Sequence, residues 1–205
     1  MKIKESSYSL ADSRREKILT LLFLDAVLGI IFGTLLFCRT GSRELLMRDF
    51  FSNGFIKTAG TESLKDVFMT SFSWLSAILI FLFAAGFSSV FQPAEIMTLF
   101  YRGMTIGISA SYSYAEFGKY GVKIIILLIL PYAAASTAIL VLAVRESLRL
   151  SNMSLMYISG HASADNESKT IKLYFIRFFV LFLLSLLLSA ADCACAFFLA
   201  DKLKM

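Results

Sequence analysis

Long apolar runs separated by short polar segments set the pattern of this chain. The first run covers residues 18–37 and follows a polar stretch in which Lys and Arg outnumber Asp and Glu. About 20 apolar residues, rising about 1.5 Å each, cross a hydrocarbon core of roughly 30 Å. Runs at 67–90, 96–114, 124–144 and 173–199 repeat that length. The pattern predicts an all-α transmembrane bundle of about five spans, one integral membrane domain over residues 1–205. The first run ends Leu35-Leu36-Phe37-Cys38-Arg39, without the small residues of a cleavage site, so it reads as an uncleaved helix. Between the first two runs, RELLMRDFF places Leu46, Met47, Phe50 and Phe51 together and Arg43, Arg48 and Asp49 largely opposite. That spacing predicts a short amphipathic helix near 43–55, lying at the membrane interface.

One stretch departs from the pattern. Residues 91–131 gather Gly103, Gly107, Gly118, Gly121, Arg102, several serines and both prolines of the chain. Pro93 and Glu95 read as a helix start, since proline there loses no needed donor and an acid complements the positive helix end. The turn before them is short, so the second and third spans read as an antiparallel hairpin. Gly103, Gly107 and Ser111 recur every four residues and give that helix a flat side for close packing. Gly29 and Gly33 do the same on the first span. The run Ser109-Ala110-Ser111-Tyr112-Ser113-Tyr114 is too polar to face lipid, so it is buried in protein or lines a wet cavity. Residues 116–123 read as a turn, Pro131 as a kink in the fourth span, and 151–172 as a long polar loop. The reading makes 91–131 the segment around which the other spans pack.

Composition agrees with a membrane protein: 58% of the 205 residues are hydrophobic and 17% charged, with a mean hydropathy of +0.73. Soluble domains sit nearer half apolar and a quarter charged. The net charge of +5 is not organised as a basic stripe with exposed aromatics, so the bilayer, and not nucleic acid, is the expected partner. Lys and Arg are nearly balanced between the two faces. The charge ahead of the first span decides the orientation, with the N-terminus cytoplasmic.

Three ionisable residues fall at membrane depth: Asp25, Arg102 and Asp192. Such residues are rare there and face the bundle interior, a partner or water. Two functions follow. In one, these charges latch helices of a scaffold together; in the other, a transporter subunit, they line a polar path. Catalysis finds little to work with. His161 has no nucleophile motif near it, and no zinc-protease or phosphate-loop motif appears. Cys193 and Cys195 project about 200° apart on a helix and cannot share a metal; they and Cys38 read as small packing residues. No catalytic, cofactor-binding or metal-binding residue is expected.

The hairpin with its proline turn, then Tyr101-Arg102-Gly103-Met104-Thr105-Ile106-Gly107, the Gly118/Gly121 turn and the proline-bearing span resemble the stage II sporulation protein M family. The likeness covers residues 83–149, about a third of the chain. It implies a multi-pass protein of a bacterial plasma membrane that anchors peptidoglycan hydrolases during engulfment, the chemistry belonging to those partners. Gly103, Gly107 and Pro131 carry over as fold-defining positions and no residue as a catalyst. Other membrane or cell-wall proteins are the expected partners, with self-association left open.

Overall fold

A computed structural model describes residues 2–39, 64–158 and 167–203. These hold six α-helices and no strand. They are α1 (Lys2–Arg39), α2 (Leu64–Ala85), α3 (Gln92–Phe117), α4 (Lys119–Ile124), α5 (Leu130–Ile158) and α6 (Glu167–Leu203). The expected interfacial helix at 43–55 and the loop residue His161 lie outside the described residues.

Two helices are long and apolar enough to cross a membrane: α1 over Glu16–Arg39, at mean hydropathy 2.4, and α6 over Ile171–Cys195, at 2.3. Their outer faces carry Leu21, Phe23 and Leu35, and Phe175, Phe179 and Leu187, all exposed. Apolar surface on that scale suits lipid and not water. The bent pair α4–α5 makes a third span if counted as one. The expected count of about five is not reached by length and apolarity alone. The apolar part of α2, Ser71–Ala85, is short, and α3 is diluted by serines, tyrosines, glycines and Arg102.

Helix boundaries shift from the expected ones for local reasons. Helix α2 stops at Ala85 and not near residue 90; Gly86 and Ser88 donate back to Leu82 O and Ala85 O, at 3.1 and 2.9 Å. One tight turn, Ser89–Phe91, then leads into α3, where Pro93 occupies a position whose N–H would have no partner. The turn expected over 116–123 is a single residue. Gly118 adopts φ 54° and ψ −125°, open to glycine but strained for other residues, and helix resumes at once. Gly121 lies within α4, where it lets the Ser113 carbonyl approach.

At Pro131, the second residue of α5, the missing N–H cannot bond to the carbonyl four residues back. Residues Ile125–Ile129 take up the mismatch as a π-helical turn. The two helical segments meet there at 43°. Beyond the bend α5 continues to Ile158, well into the expected loop. Ser147, Leu150 and Ser151 carry a buried face of α5 up to the start of that extension, at the i, i+3, i+4 spacing of a packed helix.

The main core lies among α2, α5 and α6. Leu75, Leu79 and Leu82 of α2 meet Leu140 and Val144 of α5 and Tyr174, Phe178 and Leu181 of α6. Phe83 caps it, its ring centroid 5.0–5.4 Å from those of Tyr174, Phe175 and Phe178. Helix α5 touches α1, α2, α3 and α6. The 91–131 segment meets α1 and α2 through α3, and α6 through the π-helical turn. Helix α3 packs along α1 far more extensively than along α2, and reaches the rest chiefly through α5.

Candidate functional site

Glu95, Leu99, Arg102, Ile106, Ser109 and Ser113 repeat at alternating steps of four and three along α3, so they share one face. All are buried. This face carries the polar chemistry of the bundle interior.

Its centre is Arg102, 3% exposed. Nη2 donates to Ser136 Oγ at 2.7 Å, and the guanidinium carbon lies 5.6 Å from the centre of the Tyr132 ring. Tyr132 and Ser136 sit one turn apart on α5, just past the proline bend. The Tyr132 hydroxyl is 3.5 Å from the backbone carbonyl of Ser71, and Ser71 Oγ donates to Asp192 Oδ2 at 3.0 Å. Arg102 and Asp192 also attract each other as charges. One buried arginine thus connects α3 through α5 and α2 to α6. An uncompensated ion in such surroundings costs several kcal/mol, so the connection is a strong constraint on how the helices meet.

Asp25 lies elsewhere. It packs against the backbone of Phe100 on α3, with Oδ2 buried and without a hydrogen-bond partner among the described residues. One helical turn on begins the α1–α3 seam. A Cβ on Gly103 would lie 2.1 Å from Ala26 O, and one on Gly107 2.2 Å from Ile30 O. From the other side, a Cβ on Gly29 would fall 2.3 Å from Phe100 O, and one on Gly33 2.3 Å from Met104 O. The two helices therefore pass backbone to backbone, and no larger residue fits at these four positions.

The serines of α3 point inward and bond to their own helix. Ser109 donates to Thr105 O at 2.7 Å, Ser111 to Gly107 O at 2.9 Å and Ser113 to Ser109 O at 3.0 Å. Ser109 and Ser113 are buried and Ser111 half-buried. Their hydroxyls are satisfied by their own helix, which suits packing in an apolar medium. Of the cysteines, Cys38 and Cys195 are exposed and Cys193 half-buried, so two of the three do not fill the interior.

A second polar centre lies where α2 turns into α3. Glu95 is fully buried, and neither carboxyl oxygen has a hydrogen-bond partner among the described residues. Ser147 and Tyr174 stand beside it. Ser147 Oγ gives its hydrogen to Leu82 O at 2.8 Å, and the Tyr174 hydroxyl to Phe83 O at 3.0 Å. The first turn of a helix favours a negative charge by about 0.3–1 kcal/mol. Burial of an unpaired carboxylate opposes it by several kcal/mol, so burial dominates here. The Tyr174 ring also lines a small recess with Glu146, Arg149, Leu150, Leu173 and Arg177. There Arg177 and Arg149 both reach Glu146 Oε2.

No family model, curated protein or solved structure matches the chain. The reading of these sites rests on their own chemistry. Of the ionisable residues singled out from the sequence, Arg102 and Asp192 belong to one network and Asp25 stands apart from it. Gly29, Gly33, Gly103 and Gly107 form one seam, Ser111 continues its row on α3, and Pro131 marks the bend. Ser71, Tyr132, Ser136, Ser147 and Tyr174 had no motif to mark them. Glu95 had a signal: it lies seven residues, two helical turns, before Arg102, in phase with the same buried face.

Proposed function

We propose that the chain is a non-enzymatic scaffold of a bacterial plasma membrane, crossing it about five times with a cytoplasmic N-terminus. In this reading α2 and α3 are the remaining spans. The short apolar part of α2 and the polar face of α3 are tolerated because both pack inside the bundle and not against lipid. The observation that carries the proposal is the Arg102 network, in which Ser136, Tyr132, Ser71 and Asp192 tie α2, α3, α5 and α6 together. Ionisable residues spent on joining helices favour a rigid anchor. The likeness of residues 83–149 to the stage II sporulation protein M family supplies the partner class, peptidoglycan hydrolases or another membrane subunit. A solute path along Asp25, Arg102 and Asp192 fits less well, because the serines along α3 bond to their own helix.

The test is co-purification of the tagged full-length chain from gently solubilised native membranes. A cell-wall hydrolase or a membrane subunit recovered in fixed ratio is the expected result. A chain that purifies alone, or with a transport ATPase, would overturn the scaffold reading.

A further inference from the structure

The oxygens around Glu95 point to a ligand. Both of its carboxyl oxygens are buried and lack a donor among the described residues. Ser147 and Tyr174 stand beside it, their hydroxyls also within reach of Leu82 O and Phe83 O. Ionised, Glu95 would be a buried charge with no cation beside it among the described residues, and a proton removes that cost. The end of α2 closes over these hydroxyls, for a Cβ on Gly86 would lie 2.4 Å from the Tyr174 hydroxyl and 3.0 Å from Ser147 Oγ.

The charged and titratable groups around the site sit on two helices. Helix α5 brings Glu146 and Arg149 on either side of Ser147, and α6 brings Tyr174 and, one turn on, Arg177. The end of α2 offers Gly86 and the backbone carbonyls of Leu82 and Phe83. Arg149 and Arg177 converge on Glu146, and their charge is answered there and not at Glu95. Tyr174 belongs to both places: it lines the recess with Glu146, Arg149 and Arg177, and it stands beside Glu95 with its hydroxyl donating to Phe83 O.

We propose that Glu95, enclosed by Ser147, Tyr174 and the turn at 86–88, is a proton-binding site whose proton exchanges with water through the recess beside Tyr174. When occupied, the carboxyl donates its own hydrogen to a neighbouring hydroxyl oxygen and joins α3 to α5 and α6. When emptied, it becomes a buried carboxylate without a countercharge, and the joint between the α2–α3 turn and α5 loosens. The site would make the packing of this end of the bundle responsive to protons.

Infrared difference spectroscopy on the full-length protein in lipid vesicles tests this directly. At neutral pH the wild-type minus Glu95→Gln spectrum should contain the carbonyl stretch of a protonated carboxylic acid. That band should move on transfer to heavy water and change frequency in Ser147→Ala, which keeps Glu95 but alters its neighbour. Replacing sodium with choline should leave it unchanged. A carboxylate signature in place of the acid band would overturn the proposal. Sensitivity to sodium would make the site a cation site, and a band inert to heavy water would refute exchange through the recess.

Discussion

Arg102 Nη2 lies 2.7 Å from Ser136 Oγ, so the costliest residue of α3 is held by the first turns of α5 beyond the proline bend. Through Tyr132 and Ser71 the same group of residues extends to Asp192, while Asp25 packs against Phe100 on the α1 side. Which carboxylate answers Arg102 is thereby a question of energetic coupling. In a double-mutant cycle on unfolding from mixed micelles, Arg102→Ala and Asp192→Asn should couple by about 1–3 kcal/mol. Arg102→Ala and Asp25→Asn should be additive to within about 0.5 kcal/mol. The reverse ranking would transfer the latch to α1.

The α1–α3 seam leaves no room for a methyl group. Gly103→Ala would place its Cβ 2.1 Å from the Ala26 carbonyl, and rigid backbone atoms cannot yield as a side chain can. Overpacking of this kind typically costs about 1–3 kcal/mol, and more for a branched residue. Gly103→Val should therefore destabilise more than Gly103→Ala in the same unfolding assay. Equal stability of the three proteins would mean that α1 and α3 do not touch along these glycines.

Gly118 is a different case. A side chain there meets open space, with nothing within 4 Å, but φ of 54° is a conformation that other residues resist. Strain of this type costs about 1–3 kcal/mol. Gly118→Ala should destabilise through the backbone alone, and a D-alanine introduced by semisynthesis should restore stability. Failure of the D-residue to rescue would place the loss in packing.

The bend at Pro131 is set by a missing donor. Pro131→Ala restores the N–H and should straighten the α4–α5 axis, now bent by 43°. With about 1.5 Å of rise per residue, spin labels at Tyr120 and Leu142 should move apart by roughly 2 Å. An unchanged distance would assign the bend to neighbouring helices.

Much of this architecture is legible in the sequence because it depends on local spacing. Long apolar runs mark α1 and α6, glycines four apart mark the seam, and Pro131 marks the bend. What is not legible depends on how the helices are rotated and ordered in space. Arg102 and Asp192 are 90 positions apart in numbering, and nothing along the chain says that α5 and α2 bridge them. Glu95 misled in another way. A first-turn acid is usually solvated, and only its phase with Leu99 and Arg102 hints that this one is buried. Residues 151–158 read as the start of a loop, yet Ser147 and Ser151 are small enough to let α5 pass close to the 86–91 turn, where Ser151 Oγ donates to Ser88 O at 3.2 Å.

The central claim is that the polar face of α3 is sealed between helices and does not line a path for solute. Cysteine placed at Ser109 or Ser113, in a protein whose three native cysteines are replaced, measures this most directly. Both positions are buried, with hydroxyls bonded to their own helix. A membrane-impermeant thiol reagent applied from either side should leave both cysteines unlabelled, while a cysteine at exposed Arg149 reacts. Labelling of either α3 position from one face of the membrane would contradict the account and favour a water-filled pathway.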